Sequence, residues 1–215
     1  MKFVRGIALP DTDTHFDAQI NANPMVGGKG TYQLSKLNSS VAHVKTQGVA
    51  LDIGAHVGLW SRVLCRTFKT VHAFEPVPNI IECFRYNLSG KDNVVLHPYA
   101  LGEAAGFLSM DPVANNSGNG RVDDAGSLKV EVQTLDKQNI TQVDFIKIDV
   151  EGFEKFVVLG GEKIISEQRP VMIVEQKPGN AERYSIGRRE AIDILERWGA
   201  KIAWERAGDY CLIWP

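Results

Sequence analysis

Residues 51–58 read Leu-Asp-Ile-Gly-Ala-His-Val-Gly, and this stretch decides the fold predicted for the chain. A short apolar run that enters a glycine-containing turn is typical of the first strand and following helix of a doubly wound sheet. The pattern predicts a strand over Val49–Gly54 and a helix from about Gly58 to Phe68. In such sheets a nucleotide-like ligand binds at this turn, because the strand order reverses there.

The rest of the chain alternates apolar runs with longer mixed segments, as parallel βαβ units do. The predicted strands are Thr70–Phe74, Val94–Leu101, Phe145–Val150, Val171–Glu175, Lys201–Glu205 and Tyr210–Trp214. The predicted helices are Pro78–Leu88, Glu154–Glu167 and Arg188–Trp198. Residues 207–209, Ala-Gly-Asp, separate the last two strands by a spacing that indicates an antiparallel hairpin. The fold class is therefore α/β: a doubly wound, Rossmann-like, mainly parallel sheet with a C-terminal antiparallel hairpin.

One domain accounts for most of the chain. Residues 48–215 contain every predicted βα unit, and a chain of 215 residues suits a single compact α/β domain. Residues 1–47 are an N-terminal extension, partly helical around Tyr32–Lys45, which we expect to cap the cofactor or the substrate. Residues 103–127 are rich in Gly, Asn, Ser and Asp, which predicts a flexible loop between short strands and a candidate lid.

Composition argues against several classes of function. The 24 Lys and Arg residues nearly balance the 26 Asp and Glu residues, so no general attraction to nucleic acid or anionic lipid is expected. No apolar run is long enough for a membrane helix. The three cysteines are far apart, which argues against a disulfide framework, and we expect a soluble cytoplasmic protein. His56, His72 and His97 lack metal-ligand spacing, so no metal is predicted.

The turn after the first strand favours a cofactor without phosphates. Dinucleotide sites usually carry G-x-G-x-x-G, which lets backbone amides approach a pyrophosphate. Here the spacing is Gly54-x-x-x-Gly58, with His56 where a middle glycine often stands, so a dinucleotide oxidoreductase is disfavoured. We predict S-adenosylmethionine, with Asp52 holding its amino acid part through charge and bridging water. The alternative roles are a helix N-cap for Asp52 and a simple tight turn for the glycines.

A second ligand signal closes the next predicted strand, which ends in Ala-Phe-Glu-Pro at residues 73–76. An acidic side chain about twenty residues after the first turn can accept hydrogen bonds from both ribose hydroxyls. We predict this role for Glu75, against the alternative of a solvated carboxylate at a strand end. Residues 27–33, Gly-Gly-Lys-Gly-Thr-Tyr-Gln, can fold over the cofactor so that Tyr32 and Gln33 touch its methionine end. A flexible entry to a surface helix is the alternative for that segment.

Six stretches, taken in order, resemble the FkbM family of methyltransferases over about residues 49–176. They are Asp52-Ile-Gly-Ala-His-Val-Gly58, Ala73-Phe-Glu-Pro76, Ala100-Leu-Gly102, Val132-Gln-Thr-Leu-Asp136, Asp144-Phe-Ile-Lys-Ile-Asp-Val-Glu-Gly152 and Pro170–Glu175. The resemblance implies a class I methyltransferase fold with a seven-stranded sheet. It also implies S-adenosylmethionine as cofactor, S-adenosylhomocysteine as product and O-methylation of a hydroxyl. Residues 1–47 and 103–127 fall outside the match, and these are the parts expected to choose the acceptor.

The candidate cofactor-binding residues follow from the turn, the second strand end, the N-terminal segment and the matched stretches. They are Tyr32, Gln33, Asp52, Gly54, Ala55, His56, Gly58, Glu75, Pro76, Ala100 and Asp149.

Methyl transfer from a sulfonium is an in-line displacement, so the enzyme must align the acceptor and remove a proton from a hydroxyl. Asp149 lies at the end of the fourth predicted strand, with Lys147 and Glu151 one pleat to either side. We predict that Asp149 orients the acceptor or acts as the base, and that Lys147 tunes its ionisation. Glu175, at the matching end of the fifth strand, is a further candidate for the acceptor pocket. A purely structural ion-pair network is the alternative.

The expected acceptor is a small molecule or a glycan. An RNA ribose 2′-O-methyltransferase would instead use a Lys-Asp-Lys-Glu set, and Lys29, Asp149, Lys177 and Glu205 occur in that order. The balanced charge and the lack of a basic, aromatic-rich stretch disfavour RNA. A non-catalytic binding module on the same fold is the remaining alternative, and failure to bind S-adenosylmethionine would support it.

Overall fold

The computed structural model describes the whole chain, residues 1–215. Its strands are β1 (Lys2–Val4), β2 (Ile7–Leu9), β3 (Met25–Val26), β4 (Lys29–Gly30), β5 (Val49–Ile53), β6 (Thr70–Phe74), β7 (Val94–His97), β8 (Ala100–Leu101), β9 (Gly106–Asp111), β10 (Arg121–Val122), β11 (Leu128–Gln133), β12 (Val143–Ile148), β13 (Val171–Glu175), β14 (Lys201–Arg206) and β15 (Asp209–Ile213). Its α-helices are α1 (His15–Ala22), α2 (Leu34–Val41), α3 (Ser61–Leu64), α4 (Pro78–Asn87), α5 (Glu154–Leu159), α6 (Glu162–Gln168) and α7 (Glu190–Arg197). Short 3-10 helices span Ser117–Asn119, Asp136–Gln138 and Ala181–Tyr184.

A seven-stranded sheet in the order β14-β15-β13-β12-β5-β6-β7 forms the centre of the molecule. Strands β7, β6, β5, β12 and β13 pair in parallel, and β15 pairs antiparallel with both β13 and β14. The order reverses between β5 and β12, so a crevice opens beyond the carboxyl ends of these two strands. The doubly wound, Rossmann-like class I fold with its C-terminal antiparallel hairpin is confirmed.

Helices cover both faces of this sheet because each central strand is apolar on both sides. In β12, Ile146 and Ile148 join a core cluster with α5, α6 and α7, whereas Phe145 packs with α2 and α3 on the opposite face. Helix α7 buries Ala191, Ile192, Ile194 and Leu195, an apolar stripe at helical spacing. No helix of the structure has both the length and the apolar character needed to cross a membrane.

A second, four-stranded sheet in the order β10-β9-β11-β8 holds the region predicted as a flexible loop. Strand β9 pairs antiparallel with β11, and β10 pairs with β9, so residues 103–127 contain two strands as well as loop. The run predicted as one strand over Val94–Leu101 is divided between the two sheets. Pro98 causes the division, since proline donates no backbone hydrogen bond to a ladder.

The N-terminal segment contains more structure than the single predicted helix around Tyr32–Lys45. Helix α2 occupies part of that range, and two short hairpins and helix α1 precede it. Residues Ile7, Ala8 and Leu9 are fully buried in a cluster with residues of α4 and of β11. Asn87 fastens this contact, because its side chain accepts a hydrogen bond from the amide of Ala8 at 2.7 Å and donates one to its carbonyl at 3.0 Å.

Two predicted helices differ in extent. The helix expected from Gly58 to Phe68 has only Ser61–Leu64 as regular helix, flanked by turns that carry helix-like backbone bonds. The helix expected over Glu154–Glu167 is divided at Gly160 and Gly161 into α5 and α6. A Cβ at Gly160 would lie 1.9 Å from the carbonyl oxygen of Gly102, so glycine permits the helix pair to contact the chain that follows β8.

Candidate functional site

The turn after β5 lies at the point where the strand order reverses. Gly54 has φ +74°, and a Cβ there would lie 1.9 Å from the carbonyl oxygen of Asp149. Gly58 has φ +85°, and its Cβ would meet the Leu88 side chain at 2.3 Å. Both positions therefore require glycine, one for the approach of β5 to the end of β12 and the other for packing on α4.

Glu75, at the end of β6, turns its carboxylate onto this turn. One oxygen accepts a hydrogen bond from the amide of His56 at 3.0 Å, and the other accepts one from the amide of Val77 at 2.9 Å. Burial raises the pKa of Glu75 to about 7, although the two backbone bonds act in the opposite direction. Each carboxylate oxygen offers more than one lone pair, so the group retains the capacity to accept further hydrogen bonds.

A largely apolar crevice of about 700 Å³, open to solvent, lies against Glu75. We call it the first crevice. The candidate cofactor residues that line it are Gly54, His56, Glu75, Pro76, Ala100 and Asp149. Its other walls include Phe74, Ile80, Leu108, Met110, Val122 and Phe153. A flat aromatic group attached to a polyhydroxyl ring suits such apolar walls with carboxylates among them.

A second crevice adjoins the first and is more polar. Among the predicted site residues, it is lined by Tyr32, Gly54, Ala55, His56, Lys147, Asp149 and Glu175. Other lining side chains include His15, Trp60, Asn116, Asn119, Glu151 and Lys177. Asp149 and His56 border both crevices, so the two spaces meet at the ends of β5 and β12.

Asp52 and Lys147 form a buried pair beneath the junction. Asp52 is fully buried, accepts a hydrogen bond from the Ser61 hydroxyl at 2.6 Å and lies 3.3 Å from Lys147 Nζ. Lys147 also donates to the carbonyl of Gly54 at 2.7 Å and lies 3.8 Å from the Asp149 carboxylate. Burial is the largest single effect and lowers the pKa of Lys147, but the charges of Asp52, Asp149 and Glu175 together outweigh it, and the net shift is upward.

Three of the predicted cofactor residues line neither crevice. Asp52 lies below the floor, and Gly58 packs on α4. Gln33 turns its side-chain amide toward the Tyr32 hydroxyl at 3.2 Å, and only Tyr32 of that pair lines the second crevice. The structure thus gathers the other predicted site residues around one junction.

The strand ends of β12 and β13 place acidic side chains on the second crevice. Glu175 is buried and ion-pairs with Lys177 at 2.5 Å. Burial and then the charge of Asp149 raise the pKa of Glu175, although the ion pair with Lys177 acts in the opposite direction. The same two causes raise the pKa of Glu151 to about 7, and its carboxylate accepts a hydrogen bond from the Asn180 side chain at 3.0 Å.

The sequence predicted a cap in residues 1–47 and a lid in residues 103–127, but not the contacts that join the two segments over the junction. We call the cover that they form the strap, residues 12–16 together with residues 114–118. Asp13 accepts hydrogen bonds from the amide of Ser117 at 2.8 Å and from its hydroxyl, and its second oxygen caps α1 at the amide of Phe16 at 2.7 Å. The Ser117 hydroxyl also lies 2.7 Å from His56 Nε2, and the Phe16 ring lies 4.4 Å from the His56 ring.

Only part of the strap left a signal in the sequence. An Asp three residues before an apolar position is a helix N-cap pattern, so Asp13 and α1 were detectable. Nothing in the local sequence of Ser117 points to His56, because 61 residues separate them and only the fold brings them together.

The family model of the methyltransferase FkbM domain matches residues 52–202. No curated protein matches the chain. Among solved structures, the chain resembles an FkbM methyltransferase from Methylobacillus flagellatus at 19% identity and a TM-score of 0.48, covering 76% of this chain and 42% of the other. The chain thus spans less than half the length of that relative.

Two further solved structures match this chain over nearly their full lengths. A precorrin 8w decarboxylase from Methanobacterium thermoautotrophicum has 16% identity and a TM-score of 0.50, covering 90% of this chain and 92% of the other. An RNA methyltransferase from Salinibacter ruber, solved with S-adenosyl-L-homocysteine, has 11% identity and a TM-score of 0.47, covering 89% and 92%. Because the family model covers more than half of the chain, the protein belongs to the FkbM methyltransferase family, as the sequence predicted, and S-adenosylmethionine is its cofactor.

Proposed function

We propose that this methyltransferase transfers the methyl group of S-adenosylmethionine to a hydroxyl oxygen of a small molecule or a glycan. The carbon–sulfur bond breaks as the carbon–oxygen bond forms, and the electron pair returns to sulfur to give S-adenosylhomocysteine. The hydroxyl proton leaves to a base. The protein therefore has to align oxygen, carbon and sulfur and to accept or relay one proton.

The first crevice holds the adenosine in this proposal. Its apolar walls accept the adenine ring, and Glu75 accepts hydrogen bonds from the ribose hydroxyls. The support is positional, since Glu75 is fixed at the end of β6 by the amides of His56 and Val77 and borders the crevice. Tyr32, which lines the second crevice, would help to hold the methionine part.

Asp149 carries the proposal, because it borders both crevices at the point where a methyl group would pass from one to the other. We assign it the orientation of the acceptor hydroxyl or the uptake of its proton. Lys147 lies 3.8 Å from the Asp149 carboxylate, and its positive charge attracts that group. Asp52, being buried below the floor, acts as a positioning residue that holds Lys147 in place.

The polar lining of the second crevice supports a hydroxyl-bearing acceptor over an apolar one. Glu175 belongs to this acceptor side of the junction. The RNA alternative receives less support, since Lys29 lies in β4, Glu205 lies in β14 and neither lines the first or the second crevice. The three cysteines are buried free thiols, which supports the expected cytoplasmic location.

The test is transfer of a labelled methyl group from the cofactor to pools of sugars, glycans and small hydroxylated metabolites, with an RNA pool in parallel. Asp149→Asn should remove at least the roughly hundredfold rate advantage of a positioned base while the protein still binds the cofactor. Methyl transfer to RNA alone, or an Asp149→Asn variant as active as the parent, would contradict the proposal.

A further inference from the structure

Three carboxylates converge on the second crevice. Oxygens of Asp149, Glu151 and Glu175 all lie within 4.8 Å of one another. The register explains the convergence, because Ile148 of β12 pairs with Val174 of β13 and the next residues of the two strands are Asp149 and Glu175. Parallel neighbouring strands thus bring together acids that are 26 residues apart in the chain.

Glu175 also presents an oxygen that has no partner. Its side chain is only 2% exposed, and Oε2 is buried without a hydrogen bond, whereas Oε1 pairs with Lys177. A buried carboxylate oxygen without a donor or a cation is costly. Lys177 is 43% exposed, so its ammonium group can leave Glu175 for solvent when another cation takes its place.

The positive charge nearby does not balance the three acids when they are ionised, as carboxylates must be to bind a metal ion. Lys177 contacts Glu175, and Lys147 lies 3.8 Å from Asp149 but is shared with the fully buried Asp52 at 3.3 Å. Glu151 has an amide partner, Asn180, and no ion pair. A cation bound between the three carboxylates would offset this excess of negative charge.

We propose that Asp149, Glu151 and Glu175 bind a divalent cation of the hard, oxygen-preferring class, Mg²⁺ or Mn²⁺. All three donors are carboxylate oxygens, the ligands that these ions prefer over nitrogen or sulfur. Ligands at about 2.1 Å in an octahedral shell stand about 3 Å apart, so small side-chain movements bring the three oxygens into range.

This inference deepens the proposed function, on which its consequence for the acceptor rests. Mg²⁺ commonly binds through one or two carboxylates and completes its shell with water and substrate oxygens. The second crevice would supply those substrate oxygens, which points to an acceptor with two neighbouring oxygen atoms, such as a vicinal diol of a sugar. A cation so placed would also lower the pKa of a bound hydroxyl.

The first test measures Mn²⁺ binding to the full-length protein by the loss of the free-ion electron paramagnetic resonance signal. We expect saturable binding in the parent. In Glu175→Gln and in Glu151→Gln binding should weaken by at least the roughly 10- to 100-fold that loss of an outer-shell partner of a metal site typically causes. Glu82→Gln, an exposed glutamate on α4, is the matched control and should bind as the parent does. Lys177→Met should bind Mn²⁺ at least as tightly, because a competing ammonium group is removed.

Several outcomes would overturn the inference. They are no saturable Mn²⁺ binding in the parent, equal binding in both carboxylate variants, or weaker binding in Lys177→Met. Calorimetric titration of the same samples with S-adenosylmethionine separates the two proposals, since cofactor binding without Mn²⁺ binding refutes only the metal site. If Glu175→Gln does not fold, Glu151→Gln and Lys177→Met still decide. Methyl transfer to a diol that is unaffected by EDTA would refute the role of the cation in holding the acceptor.

Discussion

Glu75 has a structural role and, in our proposal, a ligand-binding role. Its carboxylate caps the amides of His56 and Val77, and in our proposal it also receives the ribose hydroxyls. The backbone bonds hold the side chain in one orientation before the cofactor arrives. The Glu75 side chain therefore loses its conformational entropy when the protein folds and not when the cofactor binds.

Replacing Glu75 with Ala should weaken the binding of S-adenosylmethionine severely. A hydrogen bond to a charged group contributes about 1.5–3 kcal/mol, so losing even one to the ribose corresponds to at least roughly a tenfold loss of affinity. Isothermal titration calorimetry measures the change. Glu82→Gln is the control, and an unchanged affinity in Glu75→Ala would remove Glu75 from the ribose site.

At the scale of elements, the turn between β12 and α5 is organised by a second buried glutamate. Glu154 is almost fully buried, and one of its oxygens accepts hydrogen bonds from the amides of Val150 at 3.1 Å and Gly152 at 2.9 Å. Burial raises the pKa of Glu154 to about 7, against the opposing effect of these backbone bonds. The turn carries Glu151, which adopts φ +55°, so Glu154 supports an acidic residue of the second crevice.

The raised pKa of Glu154 makes the free energy of unfolding depend on pH. Between its ordinary pKa of 4.5 and about 7 the folded state binds a proton that the unfolded state has released, so stability falls as the pH rises through this window. The share of Glu154 is on the order of 3 kcal/mol. Glu154→Gln should therefore lose less stability than the parent between pH 5 and pH 8.

Urea unfolding at the two pH values measures this difference. Glu167→Gln, an exposed glutamate at the end of α6, provides the comparison. If the decline in stability is as steep in Glu154→Gln as in the parent, the carboxyl of Glu154 is not protonated in the folded state.

The strap joins two elements that lie about 100 residues apart in the chain. Besides the Asp13–Ser117 contact, the carbonyl of Asn115 accepts hydrogen bonds from the amides of Thr14 at 3.1 Å and His15 at 3.2 Å. Phe16 packs close to Gly118, where a Cβ would meet its ring at 2.6 Å. The strap therefore covers the junction of the crevices as one unit.

Ser117→Ala should loosen the strap, because it leaves His56 Nε2 and one oxygen of Asp13 with fewer partners. Losing a partner of a buried polar group costs about 1–3 kcal/mol, so local opening should become roughly tenfold more frequent. Trypsin cleavage after Arg121 reports the opening, and saturating cofactor and acceptor should slow it in the parent.

The control for this experiment is Ser127→Ala, at an exposed position just before β11. Equal cleavage rates in the parent and in Ser117→Ala would mean that the strap is held by its backbone and apolar contacts alone. An absence of ligand protection in the parent would argue against a lid in residues 103–127.

At the scale of the whole molecule, the N-terminal segment shares the core of the main domain. The cluster that contains Ile7 and Leu9 also contains Val57 and Leu59 from the region of the glycine turn and Ile80 from α4. The part of the segment between Val4 and Ile20 thus packs against the elements that form the first crevice. Substitutions in the buried part of this segment should therefore change the free energy of unfolding of the entire domain.

Leu9→Ala should destabilise the complete protein by about 2–5 kcal/mol, because Leu9 is fully buried and its truncation leaves a cavity. Urea unfolding followed by near-ultraviolet circular dichroism should show a single transition moved to lower denaturant. Phe3→Ala, at a position 56% exposed, should cause a much smaller change. A main transition that Leu9→Ala leaves unmoved would show that the segment folds as a separate appendage.

The sequence by itself determined the α/β class, the strand over Val49–Ile53 with its glycine turn, and the family. These features follow from local patterns, each of which spans only a few residues. The patterns are the apolar runs, the Gly54-x-x-x-Gly58 spacing and the strand-end acids Glu75 and Asp149. The extents of elements were less predictable where distant contacts override local preference. The division of α5 from α6 at Gly160, which approaches Gly102, is an example.

Only the tertiary structure decided which residues share the site. It placed Asp52 below the floor, brought Ser117 and Asp13 to His56, and gathered Asp149, Glu151 and Glu175 at one strand edge. The physical reason is that these contacts join strands and loops far apart in the chain, through register and packing that no local pattern encodes. The chemical character of a single residue can be read from the sequence, whereas the distance between two charged groups depends on the folded structure.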